Sequence, residues 1–162
     1  MRYLLCLTAT VAWALWFGAT IATFVFALNL FHTHHDIAGE ANSAMFLVFG
    51  KYELILAGIA IAAAGMLLVN YPTKPAVILV AWLVFTGAIA TFGALGFTPR
   101  MEILRTQGKQ QSDEFKRLHA QSMITMTTQS AMLLLSGAIL LVAVQKKDAS
   151  SSSIALNHAP TV

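Results

Sequence analysis

The sequence predicts an all-α integral membrane protein, a four-helix up-and-down bundle. Hydrophobic residues make up 57% of its 162 residues and charged residues only 10%, whereas a soluble domain carries about 25% charged residues. Four long apolar stretches approach or exceed the roughly 20 residues that a helix needs to cross a bilayer. Because backbone groups in hydrocarbon must pair within their own segment, each stretch is expected to be helical.

The four predicted spans follow one another through polar connections. The first span contains no charged residue, and the second carries Lys51 and Glu53 in its first part. A short turn with two prolines separates the second span from the third. The link over residues 98–122 is the longest and most charged, and its apolar residues predict two short amphipathic helical pieces around a break at Gly108. The spans cover residues 3–31, 44–69, 75–97 and 123–144 of a domain over 1–145, which a flexible polar tail follows over 146–162.

Small residues at four-residue spacing indicate how the helices could pack, because such residues let helix backbones approach closely in lipid. Such stripes are Ala14, Gly18 and Ala22 on the first span and Gly58 and Ala62 on the second, and small residues also share one side of the third span, at Gly87, Ala90, Thr91 and Ala94. We expect them to be ordinary contacts inside the bundle, and a dedicated dimer face is the alternative.

The fourth span carries a polar stripe of Ser122, Thr125, Gln129 and Ser136. At about 100° per residue, these side chains fall within about 60° of one another. An unpaired amide is costly in hydrocarbon, so Gln129 is expected to face the bundle. It forms either an interhelical hydrogen bond, which we prefer, or part of a polar path for a substrate.

Ionisable residues converge at one end of the predicted bundle. The links after the first and third spans lie on the same side of the membrane, which brings the run from His32 to Asp36 near the charged residues of the long link. Imidazole and carboxylate groups bind metals, so the candidate ligands for a divalent metal or haem are His32, His34, His35 and His119. Their spacing matches no diagnostic motif. A solvated loop is therefore preferred, and no cofactor is predicted.

No pattern typical of a soluble enzyme is present, so enzymatic activity is not expected. The single cysteine, Cys6, excludes a disulfide within the chain, and the small net charge of +3 gives no support for nucleic-acid binding. The expected partners are the lipid bilayer and either a second copy or another membrane protein. Six Lys and Arg residues lie on the side of the two long links and four on the side of the termini. The positive-inside rule therefore favours cytoplasmic long links by a small margin only.

The segment around the long link resembles a known family. It contains Phe97-Thr98-Pro99-Arg100, Leu104-Arg105, Asp113, Phe115, Arg117-Leu118-His119 and Ser122. This run is similar to the C-terminal half of the transmembrane protein 205-like family, also called domain of unknown function 4149. That family has a Pro-Arg pair after its third span and a Phe-x-x-Leu-His-x-x-Ser-like run before its fourth. The first half matches loosely at Trp16-Phe17-Gly18, Phe31, Ala38-Gly39 and Phe46, so the resemblance covers about residues 10–144.

The resemblance implies a four-helix membrane protein without an established biochemical activity. We expect it in a bacterial inner or cell membrane, with a role in transport, stress resistance or complex assembly. The matching positions are Pro99, Arg100, Arg105, Asp113, Arg117, His119 and Ser122. We expect Arg100 and Asp113 to pair and hold the long link on the bundle, with His119 near the membrane surface, where it could titrate. Metal or haem binding through His119 and the clustered histidines is the alternative function.

Overall fold

The structure is all-α and consists of four long helical stretches. The computed structural model describes residues 1–34 and 37–145. Helix α1 is Arg2–Thr33, α2 is Ala38–Asn70, α3 is Lys74–Phe92, α4 is Thr98–Thr106 and α5 is Asp113–Gln145, with a π-helical turn Gly93–Phe97 joining α3 to α4. The stretches Arg2–Thr33, Ala38–Asn70, Lys74–Thr106 and Asp113–Ala143 are each long and apolar enough to cross a membrane. The chain is therefore a multi-pass membrane protein.

The helices run alternately up and down and pack into a closed bundle. Helix α1 packs mainly on α2, α3 packs on both α2 and α5, and α1 also touches α5. The bundle has two ends, one for each surface of the membrane. We call the end with the α1–α2 connection and the α4–α5 turn the Gly108 face. We call the end with the start of α1, the α2–α3 turn and the end of α5 the Arg2 face.

Most of the link predicted over residues 98–122 is helix. Residues 98–106 form α4 and continue the third span, and residues 113–122 are the first turns of α5. Only residues 107–112 form a turn, where Gly108 has a φ of 71°, a left-handed conformation that glycine adopts without strain. The helices extend this far because Phe97, Leu104 and Leu118 bury one another in an apolar cluster at the Gly108 face. The predicted flexible tail over 146–162, together with His35 and Asp36, lies outside the described residues.

The main core consists of alanine and leucine side chains together with Trp16. Trp16 is fully buried, and alanines of α1 and α2 surround it. Because alanine has a short side chain, α1 and α2 can approach closely along most of their length. The buried alanines of these two helices are Ala9, Ala12, Ala57, Ala60, Ala63 and Ala64.

The prediction that small-residue stripes pack inside the bundle holds for Gly87 and Ala90 of α3, which are buried, and is wrong for α1 and α2. The five stripe residues of these two helices are exposed: Ala14, Gly18, Ala22, Gly58 and Ala62. The buried side of α1 instead carries Ala12, Trp16 and Thr20. An offset of two residues turns a helix by about 200°, so the buried side and the small-residue stripe lie on nearly opposite sides.

Candidate functional site

Glu53 places a carboxyl group inside the bundle. Glu53 is only 5% exposed, and it lies on α2, a helix that is mostly apolar. The Nε1 of Trp16, on α1, donates a hydrogen bond of 3.0 Å to Oε1 of Glu53. The Nε2 of Gln129, on α5, donates to the same oxygen. Three helices therefore meet at one carboxyl group.

The three side chains meet because they lie at matching depths in an antiparallel bundle. At 1.5 Å per residue, each lies about 22 to 26 Å along its helix from the Gly108 face. Trp16 reaches this depth from the end of α1, and Glu53 and Gln129 reach it from the starts of α2 and α5. The site is thus near the middle of the bundle and well away from both ends.

No basic side chain in the described part of the chain neutralises Glu53. The ion pair among the described residues joins Arg105 to Glu102, near the Gly108 face. Two neutral N–H donors orient the carboxyl group of Glu53 but carry no net charge to offset an ionised carboxylate. Ionisable residues within membrane spans are rare and mark ion pathways and proton relays. An ionised Glu53 would therefore have no counter-charge among the described residues.

A small cavity of about 40 Å³ adjoins Glu53. This volume is enough for a water molecule, and its walls are polar enough to bind one. The polar residues in its lining are Glu53, Thr98, Ser122, Thr125 and Gln129. From Ser122 to Gln129, the polar side of α5 covers about 10 Å along the helix. These residues form a polar route that runs from Glu53 about 10 Å toward the Gly108 face.

The π-helical turn forms another wall of this cavity, through Gly93 and Ala94. Such turns interrupt the regular helical hydrogen bonds and are frequent at functional sites. The hydroxyl of Thr98 donates to the carbonyl oxygen of Gly93 at 3.2 Å. On the other side, α2 comes so close that a Cβ on Gly50 would lie 3.2 Å from the Cβ of Ala94. Glycine at position 50 therefore allows α2 to pack on the turn.

Asn42 is a second buried polar residue on the same side of α2 as Glu53. It is 4% exposed, and neither polar atom of its amide has a hydrogen-bond partner within the described residues. Asn42, Phe46, Phe49 and Glu53 are spaced at i, i+4, i+7 and i+11, which places them on one face of the helix. Phe46 and Phe49 line the cavity. Because an unpaired buried amide is unfavourable, Asn42 offers donor and acceptor atoms to water or a ligand near the Gly108 face.

The interior is less polar between Glu53 and the Arg2 face. The buried hydroxyls of that half bond to their own helices: Thr86 donates to the carbonyl oxygen of Trp82 at 2.8 Å, and Ser136 donates to that of Leu133 at 2.7 Å. The neighbouring core consists of alanine and leucine side chains. The hydroxyl of Thr125 bonds to its own helix in the same way, so the Gly108 side of Glu53 differs by its cavity and by the amide of Asn42, which is unpaired within the described residues.

The residues of the family-like motif surround the Gly108 face, and most point outward. Arg100, Asp113, Arg117 and His119 are exposed, whereas Pro99, Arg105 and Ser122 are half-buried. Of these, Ser122 lines the cavity beside Glu53, Thr125 and Gln129.

The ion pair predicted between Arg100 and Asp113 does not form in the described structure. Arg105 instead pairs with Glu102, with 3.1 Å between Nη1 and Oε2, and the hydroxyl of Ser43 donates to the same Oε2. Helix α4 explains the difference, because residues three apart on a helix are neighbours on its surface. The contact that ties α4 to α2 is thus made by Glu102.

The three histidines in the described part of the chain, His32, His34 and His119, are exposed and belong to the half of the bundle at the Gly108 face. His32 and His34 end the first helical stretch, and His119 stacks on Phe115 with ring centroids 6.3 Å apart. Within residues 1–34 and 37–145, no three His, Cys, Asp or Glu residues are grouped closely enough to hold a metal. His35 lies outside the described residues.

Sequence reasoning found Gln129 but missed Glu53 and Trp16 as members of the same site. In the sequence, Glu53 and Lys51 both interrupt the apolar run of the second span. A usable signal was present, because an ionisable residue within a span is expected to face the interior and to have a partner. Trp16 and Gln129 lie at the matching depth on other helices, and both carry N–H donors.

Comparisons with models of protein families, with curated proteins and with solved structures found no match to this chain. The resemblance to the transmembrane protein 205-like family therefore stays a prediction that rests on the residues quoted above.

Proposed function

We propose that this protein acts in membrane transport, with Glu53 as a proton-binding group that is loaded from the Gly108 side. The observation that carries the proposal is the buried carboxyl group of Glu53, which two neutral donors orient and no described cation neutralises. Buried carboxyl groups of this kind bind and release protons in pumps and transporters. On the basis of the sequence, we propose further that the protein is of the transmembrane protein 205-like type and lies in a bacterial inner or cell membrane.

The hydrogen bonds favour a proton over a metal cation. The N–H groups of Trp16 and Gln129 both point at Oε1 of Glu53. Their positive ends would repel a metal ion that approached this oxygen. Hard cations such as Ca²⁺ also require six or more oxygen ligands, and the small cavity offers few besides the hydroxyls of Thr98, Ser122 and Thr125. A proton needs only the second oxygen of the carboxyl group. Water in the cavity would deliver it along the polar side of α5.

Infrared difference spectroscopy on the full chain in lipid vesicles tests the proposal directly. Raising the pH should remove the C=O band of a protonated carboxyl group, and Glu53→Gln should abolish that change. Glu40→Gln is the matched control, because Glu40 is an exposed carboxylate near the start of the same helix. If the titrating band persists in Glu53→Gln, Glu53 is not the proton-binding group. If the band responds to Na⁺ or K⁺ at constant pH, the site binds a cation instead.

Proton flux tests the transport role. Vesicles that hold K⁺ and a pH-sensitive dye should acidify under an inward proton gradient and an inside-negative K⁺ diffusion potential when the wild-type chain is present. Glu53→Gln should reduce the flux to that of protein-free vesicles, and Glu40→Gln should leave it unchanged. Equal fluxes with wild-type protein and without protein would show that protonation of Glu53 does not move protons across the membrane.

Metal or haem binding is the weaker candidate function. Its described ligands, His32, His34 and His119, are exposed, and His119 stacks on Phe115. Elemental analysis of purified protein and a Soret band that His119→Ala removes would favour it. Clean protein with neither would eliminate it.

A further inference from the structure

A second and larger cavity lies at the Arg2 face, at the opposite end from the polar route to Glu53. Its volume is about 620 Å³, and it lies between the start of α1, the end of α2, the start of α3 and the end of α5. Sites for small molecules typically measure about 300–1,000 Å³. The proposed proton site does not include this cavity, so a role for the cavity has to be argued from its own lining.

The floor of this cavity is apolar. It is formed by the buried side chains of Ala64, Leu67, Leu79 and Leu140, which come from three helices. An apolar floor binds hydrocarbon and contributes little to the binding of a small inorganic ion. The floor therefore favours a ligand with an acyl chain.

The rim of the cavity is basic. Arg2 and Lys74 both line it, and no acidic residue does so within the described part of the chain. The guanidinium carbon of Arg2 lies 5.8 Å from the centre of the Tyr71 ring, a cation–π contact that positions the charge. Other polar groups of the rim serve their own helices: the amide of Asn70 donates to the Met66 carbonyl, and the hydroxyl of Thr73 accepts from the Ala76 N–H. Two helices begin and two end here, so their dipoles largely offset one another, and the side-chain charges determine the preference.

We propose that this cavity binds one anionic phospholipid from the surrounding leaflet. Its phosphate lies between Arg2 and Lys74, and the upper part of an acyl chain covers the apolar floor. The helix ends place the two cations at the level of the lipid headgroups, where basic residues attract anionic lipid. A zwitterionic headgroup adds a positive charge next to these cations and is bound more weakly.

Native mass spectrometry of the detergent-purified full chain tests this assignment, with phosphatidylglycerol and phosphatidylcholine as probes. We expect one equivalent of phosphatidylglycerol to bind more tightly than phosphatidylcholine. Removing both charges with Arg2→Gln and Lys74→Gln should weaken phosphatidylglycerol binding by about 30-fold, on the basis of about fivefold for each cation near a membrane surface. The matched control is Arg100→Gln with Lys109→Gln, because these are two exposed cations at the Gly108 face.

Three results would overturn the proposal. The first is equal affinity of the wild type and the Arg2→Gln, Lys74→Gln variant for phosphatidylglycerol. The second is displacement of the lipid by glycerol 3-phosphate at comparable concentration, because the site would then select the phosphate alone. The third is binding that appears only in a variant ending at Gln145, because the chain's own C-terminal segment would then be the occupant. Failure of the proton assays at Glu53 leaves each of these readouts unaffected.

Discussion

The indole Nε1 of Trp16 donates a hydrogen bond to Oε1 of Glu53 across 3.0 Å, in the interior of the helix bundle. Trp16 has no exposed surface, and Glu53 is 5% exposed. The contact joins α1 to α2, and Gln129 brings α5 to the same carboxyl group. One acidic residue therefore sets how three helices face one another, and it is also the group to which we assign proton binding.

Replacement of Trp16 by phenylalanine should destabilise the bundle. Trp16→Phe keeps an aromatic ring but leaves the carboxyl group of Glu53 with one donor fewer, which costs about 1–3 kcal/mol for a buried acceptor. Reversible unfolding in mixed detergent micelles would measure the change in unfolding free energy.

Trp82→Phe is the control for this change. Trp82 also donates through Nε1, but to the backbone carbonyl of Met132 at 3.0 Å, within a helix where carbonyls have backbone partners. A smaller loss is expected there. A loss for Trp16→Phe no greater than that for Trp82→Phe would show that the hydrogen bond to Glu53 contributes little to stability.

The hydroxyl of Thr125 should speed access of protons to Glu53. Thr125→Val keeps the shape of the side chain and removes a polar group from the cavity lining. We expect deuterium exchange of the protonated Glu53 carboxyl, followed by time-resolved infrared spectroscopy, to slow several-fold while the unfolding free energy changes little. Thr127→Val is the matched control, because Thr127 is on the same helix and exposed. Equal exchange rates in both variants would place the proton route elsewhere.

Glycine at position 137 should be required for α1 to pack on α5. A Cβ at this position would overlap the six-membered ring of Trp13, whose Nε1 donates to the Leu133 carbonyl at 2.8 Å. Gly137→Ala should displace the indole and destabilise the protein by about 1–3 kcal/mol, as overpacking of a core does. The same unfolding assay measures this, and the Trp fluorescence should shift to the red as an indole becomes more exposed.

Gly65→Ala provides the comparison for this substitution. A Cβ on Gly65 meets nothing within 4 Å, so only the higher helix propensity of alanine acts, which stabilises by up to about 1 kcal/mol. If Gly137→Ala were as stable as Gly65→Ala, the α1–α5 contact would have to be looser than described.

The helices could be predicted from the sequence more reliably than their contacts. Each predicted span lies within one of the four long helical stretches, and the link over residues 98–122 contains the two helical pieces expected around Gly108. The sequence does not show that these pieces continue the third and fourth spans without a break. The two helical pieces are held in place by the contact of Leu104 and Leu118 with Phe97 in one buried cluster.

For the candidate site, the sequence indicated one of its three principal residues. Gln129 was recognisable because an amide within a span requires a partner. Its partner could not be identified, since Glu53 and Lys51 are two residues apart and only the rotation of α2 decides which of them faces inward. The structure buries Glu53 and leaves Lys51 exposed.

The sequence by itself determined that this chain crosses a membrane several times as helices. Hydropathy is a sum along each segment, and hydrocarbon requires internal backbone pairing whatever the neighbours are. Only the tertiary structure decided which side of each helix faces inward, and therefore that Trp16, Glu53 and Gln129 share one site while the small-residue stripe of α1 faces outward. Lipid and core are similarly apolar, so the rotation of each helix depends on a few polar and bulky contacts between helices that are distant in sequence.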